Sequence, residues 1–342
     1  MYRVGVVGAT SLVGKELSDE LQESLLAASD FVLFDDEEAA GQVTAAGDEP
    51  AVIQRIDAGS FEKMDFVFFA GDEAVTKRHW QQARRAGANV IDLTYALEPE
   101  AGVLVRSPLA LVAGEAAVVP DLKTPAVVAA HPGAVMLALV AARLQGKLPL
   151  TSVAATLMEP ASEHGRAAMD ELHQQTVSLL SFQNMPKEQY DVQVAFNLVP
   201  ALGEAAKVRL AATDKRVREH YGVLSAGTLP KLALQVVQAP VFHGYAASVL
   251  VEFGEGVTTE QVEAALASEE IELVEDDGDA PSNLTAAGQE EILVRVSRDA
   301  SDGESSRRVW LWLAADNLKL GARSAISCAL ELRRLRPSGK VQ

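Results

Sequence analysis

The sequence predicts an α/β domain built on an open, mostly parallel sheet, followed by an α+β domain with an antiparallel or mixed sheet. Three observations carry this. Tyr2 to Val7 is a β-branched, mostly apolar run that passes through a glycine turn into an amphipathic pattern at Val13, Leu17 and Leu21, which reads as strand, turn and helix. Strands and helices then alternate towards residue 127. Beyond Thr124 the composition shifts, and long helical patterns mix with β-hairpin signals. The expected division is 1–127, with 322–342 packing back on it, and 128–321.

The first strand, turn and helix have the form of a Rossmann-like nucleotide-binding unit, whose helix start presents unpaired amides and a positive dipole end to an anion. That unit places glycine at three turn positions, and here Gly8, Ser11 and Gly14 occupy them. The serine hydroxyl can donate to phosphate, while its Cβ takes space where the backbone would approach a ligand. Gly8, Thr10, Ser11, Leu12, Val13 and Gly14 are therefore candidate cofactor contacts, and a plain structural turn is the competing reading.

Phe31 to Phe34 forms the second strand, followed by Asp35, Asp36, Glu37 and Glu38. An acidic group about twenty residues past the glycine turn can bind a ribose diol, so Asp35 and Asp36 join the candidates; a solvated acidic turn is the alternative. Four carboxylates would repel the extra phosphate of NADP, which makes NAD the expected cofactor if a nicotinamide binds.

Ala51 to Ile56 fits a short strand, and Asp65 to Ala70 a buried one ending at Gly71. Val75 to Ala86 is a polar-faced helix closed by Gly87, and Asn89 to Leu93 returns to the sheet. Val103 to Arg106 and Ala117 to Val119 are weaker strand candidates. Pro125 to Ala130 is a short apolar strand, His131-Pro132-Gly133 a turn, and Ala134 to Leu144 a nearly all-apolar helix.

In the second domain, Leu150 to Glu159 is a β-rich run and Glu163 to Leu180 a helix with Met169, Leu172, Thr176 and Leu179 inward. A strand is expected within Phe182 to Phe196, a helix over Ala205 to Tyr221, and strands over Leu232 to Val241 and Ala246 to Phe253. Thr259 to Ala267 reads as a threonine-capped helix. The acidic tract Glu269 to Asp279 reads as a solvated connection. Glu291 to Val296 and Arg307 to Ala314 form a hairpin, and Ala322 to Arg334 a final helix.

Composition excludes several classes. A chain of 342 residues with 48% hydrophobic content can hold two cored domains. No apolar run reaches the ~20 residues of a membrane helix, and no basic segment precedes an apolar one at the N-terminus, so a soluble cytoplasmic protein is expected. The formal charge of -18 repels nucleic acid and anionic membranes in general. The single cysteine, Cys328, excludes an intramolecular disulfide framework, and its apolar surroundings read as a buried helix position. His131, His164, His173 and His243 show no close ligand spacing, so no metal is expected.

Gly8-Ala-Thr-Ser-Leu-Val-Gly14, Asn197 after Val194-Ala-Phe196, Ala239-Pro-Val-Phe-His-Gly244 and Asp316-Asn-Leu-Lys-Leu-Gly321 resemble the aspartate-β-semialdehyde dehydrogenase family in order and spacing over essentially the whole chain. The resemblance implies a Rossmann-like NAD(P)-binding-type domain and a catalytic-type dimerisation domain, and hence a homodimer. It also implies a reaction: NADPH reduces β-aspartyl phosphate, a cysteine attacks the acyl carbon, a histidine handles the proton, and arginines hold carboxylate and phosphate.

The matching positions of this chain depart from that chemistry. Ala134 stands at the family's cysteine and Tyr245 at its histidine, Gln238 and Glu98 at two arginines, and Glu159 at the glutamine that orients substrate; Ser162 and Gly165 remain from the family's small-residue turn. Tyrosine, with an ordinary pKa of about 10, is a poor general base at neutral pH. A carboxylate in place of a guanidinium repels an anionic substrate.

The pattern resembles the cysteine-less USG-type paralogues of the dehydrogenase. The expected function is a non-catalytic binding or dimeric protein. The alternative is an NAD-dependent oxidoreductase on an unidentified aldehyde or acyl substrate, with Tyr245 or His131 as acid. A genuine semialdehyde dehydrogenase is the least supported reading.

Overall fold

The computed structural model describes residues 2–26, 30–35, 39–46, 49–110, 118–275, 278–298 and 304–335. The chain divides into two compact units: residues 1–109, 117–130 and 321–342, and residues 110–116 and 131–320.

In the first unit β1 (Arg3–Val7), α1 (Leu12–Glu23), β2 (Asp30–Asp35), β3 (Val43–Ala46), β4 (Glu49–Val52) and β5 (Gln54–Arg55) lead to β6 (Phe66–Phe69), α2 (Glu73–Arg85), β7 (Asn89–Asp92), β8 (Leu104–Arg106) and β9 (Val127–Ala129). A 7-stranded sheet runs β5-β2-β1-β6-β7-β9-β8, parallel throughout, while β3 and β4 pair antiparallel apart from it. The central strands are apolar on both faces because both are covered. Val4, Val6, Phe66 and Phe68 enter one core, with Leu17 and Leu21 of α1. Val7, Val67 and Phe69 enter the other, with Trp80 and Ala83 of α2.

Strand order reverses between β1 and β6, the place where such sheets open a crevice. Gly8 leaves β1 with φ +85°, and a Cβ there would lie 2.3 Å from Gly71 Cα, so the two turns pack backbone to backbone. Glycine is required on steric grounds.

The second unit begins with α3 (Pro132–Gln145) and β10 (Leu150–Glu159), continues through α4 (Arg166–Leu180), α5 (Leu210–Ser225), β11 (Leu232–Gln238), β12 (Tyr245–Val257) and α6 (Thr259–Leu266), and ends with β13 (Ile271–Leu273), β14 (Ile292–Arg298) and β15 (Ser306–Ala315). The 6-stranded sheet β11-β10-β12-β15-β14-β13 is mixed, with parallel pairs only at its two ends. Its β12 and β15 alternate: Val249, Val251, Leu311 and Leu313 are buried, and Trp310 and Trp312 are exposed. Helix α3 is buried along nearly its whole length, which accounts for its lack of a polar face.

The last helix, α7 (Asn317–Arg333), puts Ala322, Ala325, Ile326 and Ala329 into the core of the first unit. There Arg106 pairs with Glu331, and Ser324 Oγ donates to Ser107 Oγ at 2.9 Å.

Several expectations need correction. The run from Phe182 to Phe196 forms no strand. Glu171 accepts the amides of Glu188, Gln189 and Tyr190, and the Gln175 side-chain oxygen accepts those of Val194 and Ala195, so helix side chains hold this segment in place of a ladder. In α4 the buried positions are Ala168, Glu171, Leu172, Gln175 and Ser178, with Met169 and Leu179 packed half-buried against the same core, as their inward placement in the sequence reading has it. That helix starts at Arg166 because Gly165 (φ +80°) separates it from a 3₁₀ turn at Ala161–His164. The expected helix from Ala205 starts instead at Leu210. The cap of α6 is Thr258, one residue earlier than expected, in a reciprocal capping box with Gln261. Val118 and Val119 are exposed and lie in no strand.

Candidate functional site

The first-unit candidates meet at the end of β1. Ser11 caps α1: its Oγ accepts from Gly14 N at 2.8 Å and donates to Ala70 O at 2.7 Å. The amide and hydroxyl of Thr10 both donate to Asp35 Oδ2 at 2.7 Å. Those bonds tie Ser11 and Asp35 to the turn itself and leave the Leu12 and Val13 amides at the helix start without hydrogen bonds among the described residues. A Cβ on Gly14 would meet Gly8 O at 2.1 Å, so this turn also demands its last glycine. Asp36, Glu37 and Glu38 lie outside the described residues.

Glu98 also belongs to the first unit. Its loop is organised by buried Asp92, which accepts from Thr94 N, Thr94 Oγ1 and Leu97 N at 2.7, 2.7 and 2.9 Å. Burial raises the Asp92 pKa, against the lowering effect of those bonds.

Ala134, Glu159, Gln238 and Tyr245 lie in the second unit, all buried. His131 caps α3, its Nδ1 accepting from Gly133 N at 3.2 Å, with Pro132 in the first turn. Gly133 fits because a Cβ there would come within 2.9 Å of Leu157 Cδ2. The His131 amide donates to His220 Nδ1 at 2.9 Å. The other ring nitrogen of His131, Nε2, lies 2.9 Å from Glu163 Oε1.

Tyr245 begins β12 after Gly244 (φ +82°), whose amide donates to Asn317 Oδ1 at 3.0 Å. The Tyr245 hydroxyl donates to Glu163 Oε2 at 2.5 Å. Asn317 also accepts from Ser162 Oγ at 3.1 Å. Glu163 is thus gripped from two sides. Burial pushes its pKa up, but the His131 charge and hydrogen bond, the Tyr245 hydroxyl and the His164 charge together hold it down at about 2.

The neighbouring pair is less well matched. His164 Nε2 lies 3.3 Å from Glu159 Oε2, close enough for an ion pair. The directions are poor, so neither that nitrogen nor either Glu159 oxygen has a hydrogen-bond partner among the described residues. Burial lowers the His164 pKa, yet the charges of Glu159 and Glu163 outweigh it and the net shift is upward. Gln238 donates from Nε2 to Glu159 O and Ala239 O, leaving its buried Oε1 without a partner among the described residues.

Sequence reasoning missed Glu163, the residue on which the cluster converges, because an acid at a helix start reads as ordinary dipole compensation. His131, Glu159 and Glu163 each offer a ligand atom within 4.8 Å of the others, a grouping that the spacing of the histidines did not disclose. Cys328 lies buried on α7 in the first unit, its thiol pKa pushed up by burial and the Glu331 charge. The described residues include no helix long and apolar enough to cross a membrane.

Residues 3–130 match the family model described as semialdehyde dehydrogenase, NAD binding domain, and residues 141–320 match semialdehyde dehydrogenase, dimerisation domain. A USG-1 protein homolog of Pseudomonas aeruginosa is 32% identical over 324 residues, covering 93% of this chain and 94% of that one. One from Azotobacter vinelandii is 30% identical over 323 residues, with coverage of 93% and 94%. The solved structure of a probable aspartate-semialdehyde dehydrogenase from Pseudomonas aeruginosa superposes with a TM-score of 0.83 at 28% identity, covering 98% of this chain and 99% of that one.

Proposed function

The chain belongs to the semialdehyde dehydrogenase family, as a USG-1-like paralogue without the catalytic cysteine, and on that premise we propose that it works as a cytoplasmic homodimer that binds rather than turns over. The observation that carries the reading is the buried Ala134 on the first turn of α3, at the position where the family resemblance puts the nucleophile. A methyl group cannot form a thioester. The Tyr245 hydroxyl, at the histidine position, already donates to Glu163.

The clamp positions support the same reading. Glu159 and Gln238 contribute acceptor oxygens without hydrogen-bond partners among the described residues, where the resemblance puts a glutamine and an arginine that would grip an anionic substrate. The decisive assay follows nicotinamide absorbance with aspartate semialdehyde, phosphate and NAD or NADP. No turnover is expected from the native chain, nor from Ala134→Cys, because Tyr245, Gln238 and Glu98 remain. Family-like rates from the native chain, or from that single variant, would overturn the proposal.

Pairing through the second unit is supported by the match to a dimerisation domain and by exposed Trp310 and Trp312 on the sheet. In the first unit, the acidic stretch after β2 supports NAD over NADP. Calorimetric titration with each nucleotide tests this: tighter binding of NADP would reverse the preference.

A further inference from the structure

Glu159 is wholly buried, and neither of its oxygens has a hydrogen-bond partner among the described residues. A carboxylate in that condition is costly unless a charge compensates it. His164 supplies part of the compensation at 3.3 Å but is poorly aligned. His131 and Glu163 stand beside it, with ligand atoms within 4.8 Å of one another and of Glu159.

We propose that His131, Glu159 and Glu163 bind a divalent transition-metal ion, with zinc the best match. One imidazole and two carboxylates form a nitrogen–oxygen donor set of the kind zinc accepts at ~2.0–2.2 Å. The two carboxylates neutralise the dication, and a neutral imidazole adds no charge. The Tyr245 hydroxyl donates to Glu163 and so orients it from outside the donor set. His131 Nε2 faces Glu163, but its Nδ1 accepts from Gly133 N. Zinc at Nε2 therefore moves the ring proton to Nδ1 and releases the Gly133 bond. Glu159 stands where the family resemblance puts a substrate-orienting glutamine, but zinc binding and turnover are read by separate assays, so either proposal can fail without the other.

The test dialyses the protein, previously treated with chelator, against micromolar zinc chloride, and counts metal by mass spectrometry. One zinc per chain is expected. Affinity should fall at least about tenfold in Glu159→Gln, with circular dichroism checking the fold, and should be unchanged in His173→Gln, whose side chain is exposed on α4. Absence of stoichiometric zinc, or undiminished binding by Glu159→Gln, overturns the proposal. Should that variant fail to fold, anomalous diffraction at the zinc edge from soaked wild-type crystals decides: a peak among the three side chains supports the site, and a peak elsewhere or none rejects it.

Discussion

The hydroxyl of Tyr245 donates to Glu163, a carboxylate that His131 Nε2 also approaches at 2.9 Å. Tyr245 is thereby joined to the cap of α3 through one shared acid. A group that could have handled protons is part of a buried structural network instead.

Removing that hydroxyl should be felt as lost stability. Tyr245→Phe deletes a hydrogen bond to a charged acceptor, worth about 1.5–3 kcal/mol. Urea unfolding should show the midpoint lowered by that loss divided by the slope, with little change in the slope itself. An unchanged midpoint would mean that the bond contributes nothing net.

Glu163 also predicts a pH dependence. Its folded pKa, about 2, is depressed from the ordinary 4.5. The stabilisation is therefore fully present above about 4.5 and is lost as pH falls towards 2. Thermal melts across this window should decline steeply for the native chain and less steeply for Glu163→Gln; parallel curves would reject the assignment.

Glycine at position 8 is demanded by both φ and contact. Gly8→Ala would drive a Cβ against Gly71 Cα and force an unfavourable backbone conformation. A loss greater than about 2 kcal/mol is expected, with a lower calorimetric melting temperature. An unaltered melt would show that the two turns can separate freely.

Glu171 should control one local segment. Its carboxylate accepts the amides of Glu188, Gln189 and Tyr190 at 2.6, 2.7 and 3.2 Å. In Glu171→Ala these amides should exchange hydrogen faster while those of β12 keep their protection. Equal acceleration everywhere would indicate global unfolding rather than release of the loop.

The proposed dimer can be tested at the exposed sheet face. Trp310 is 44% exposed on β15, where a partner sheet would cover it. Sedimentation should find the native chain dimeric and Trp310→Glu dissociated at micromolar concentration. A native monomer under those conditions would reject pairing, and an intact Trp310→Glu dimer would reject this face as its interface.

The amino-acid pattern alone determined the layers of this protein. Continuous apolar strands such as Phe66–Phe69 signalled a fully buried sheet, and the hairpin signals mixed with long helices beyond Thr124 signalled an antiparallel or mixed one, because those patterns record local periodicity and turn chemistry. The turn at Gly8, the buried Cys328 and the absence of a thiol at Ala134 were equally readable. Only the tertiary structure decided which polar groups meet. Glu163 collects His131 and Tyr245 across 32 and 82 residues of sequence. Glu171 and Gln175 hold a segment that propensity alone favoured as a strand. Side-chain hydrogen bonds and ion pairs of this kind depend on three-dimensional closure at angstrom scale, and the local pattern of a chain carries no record of it.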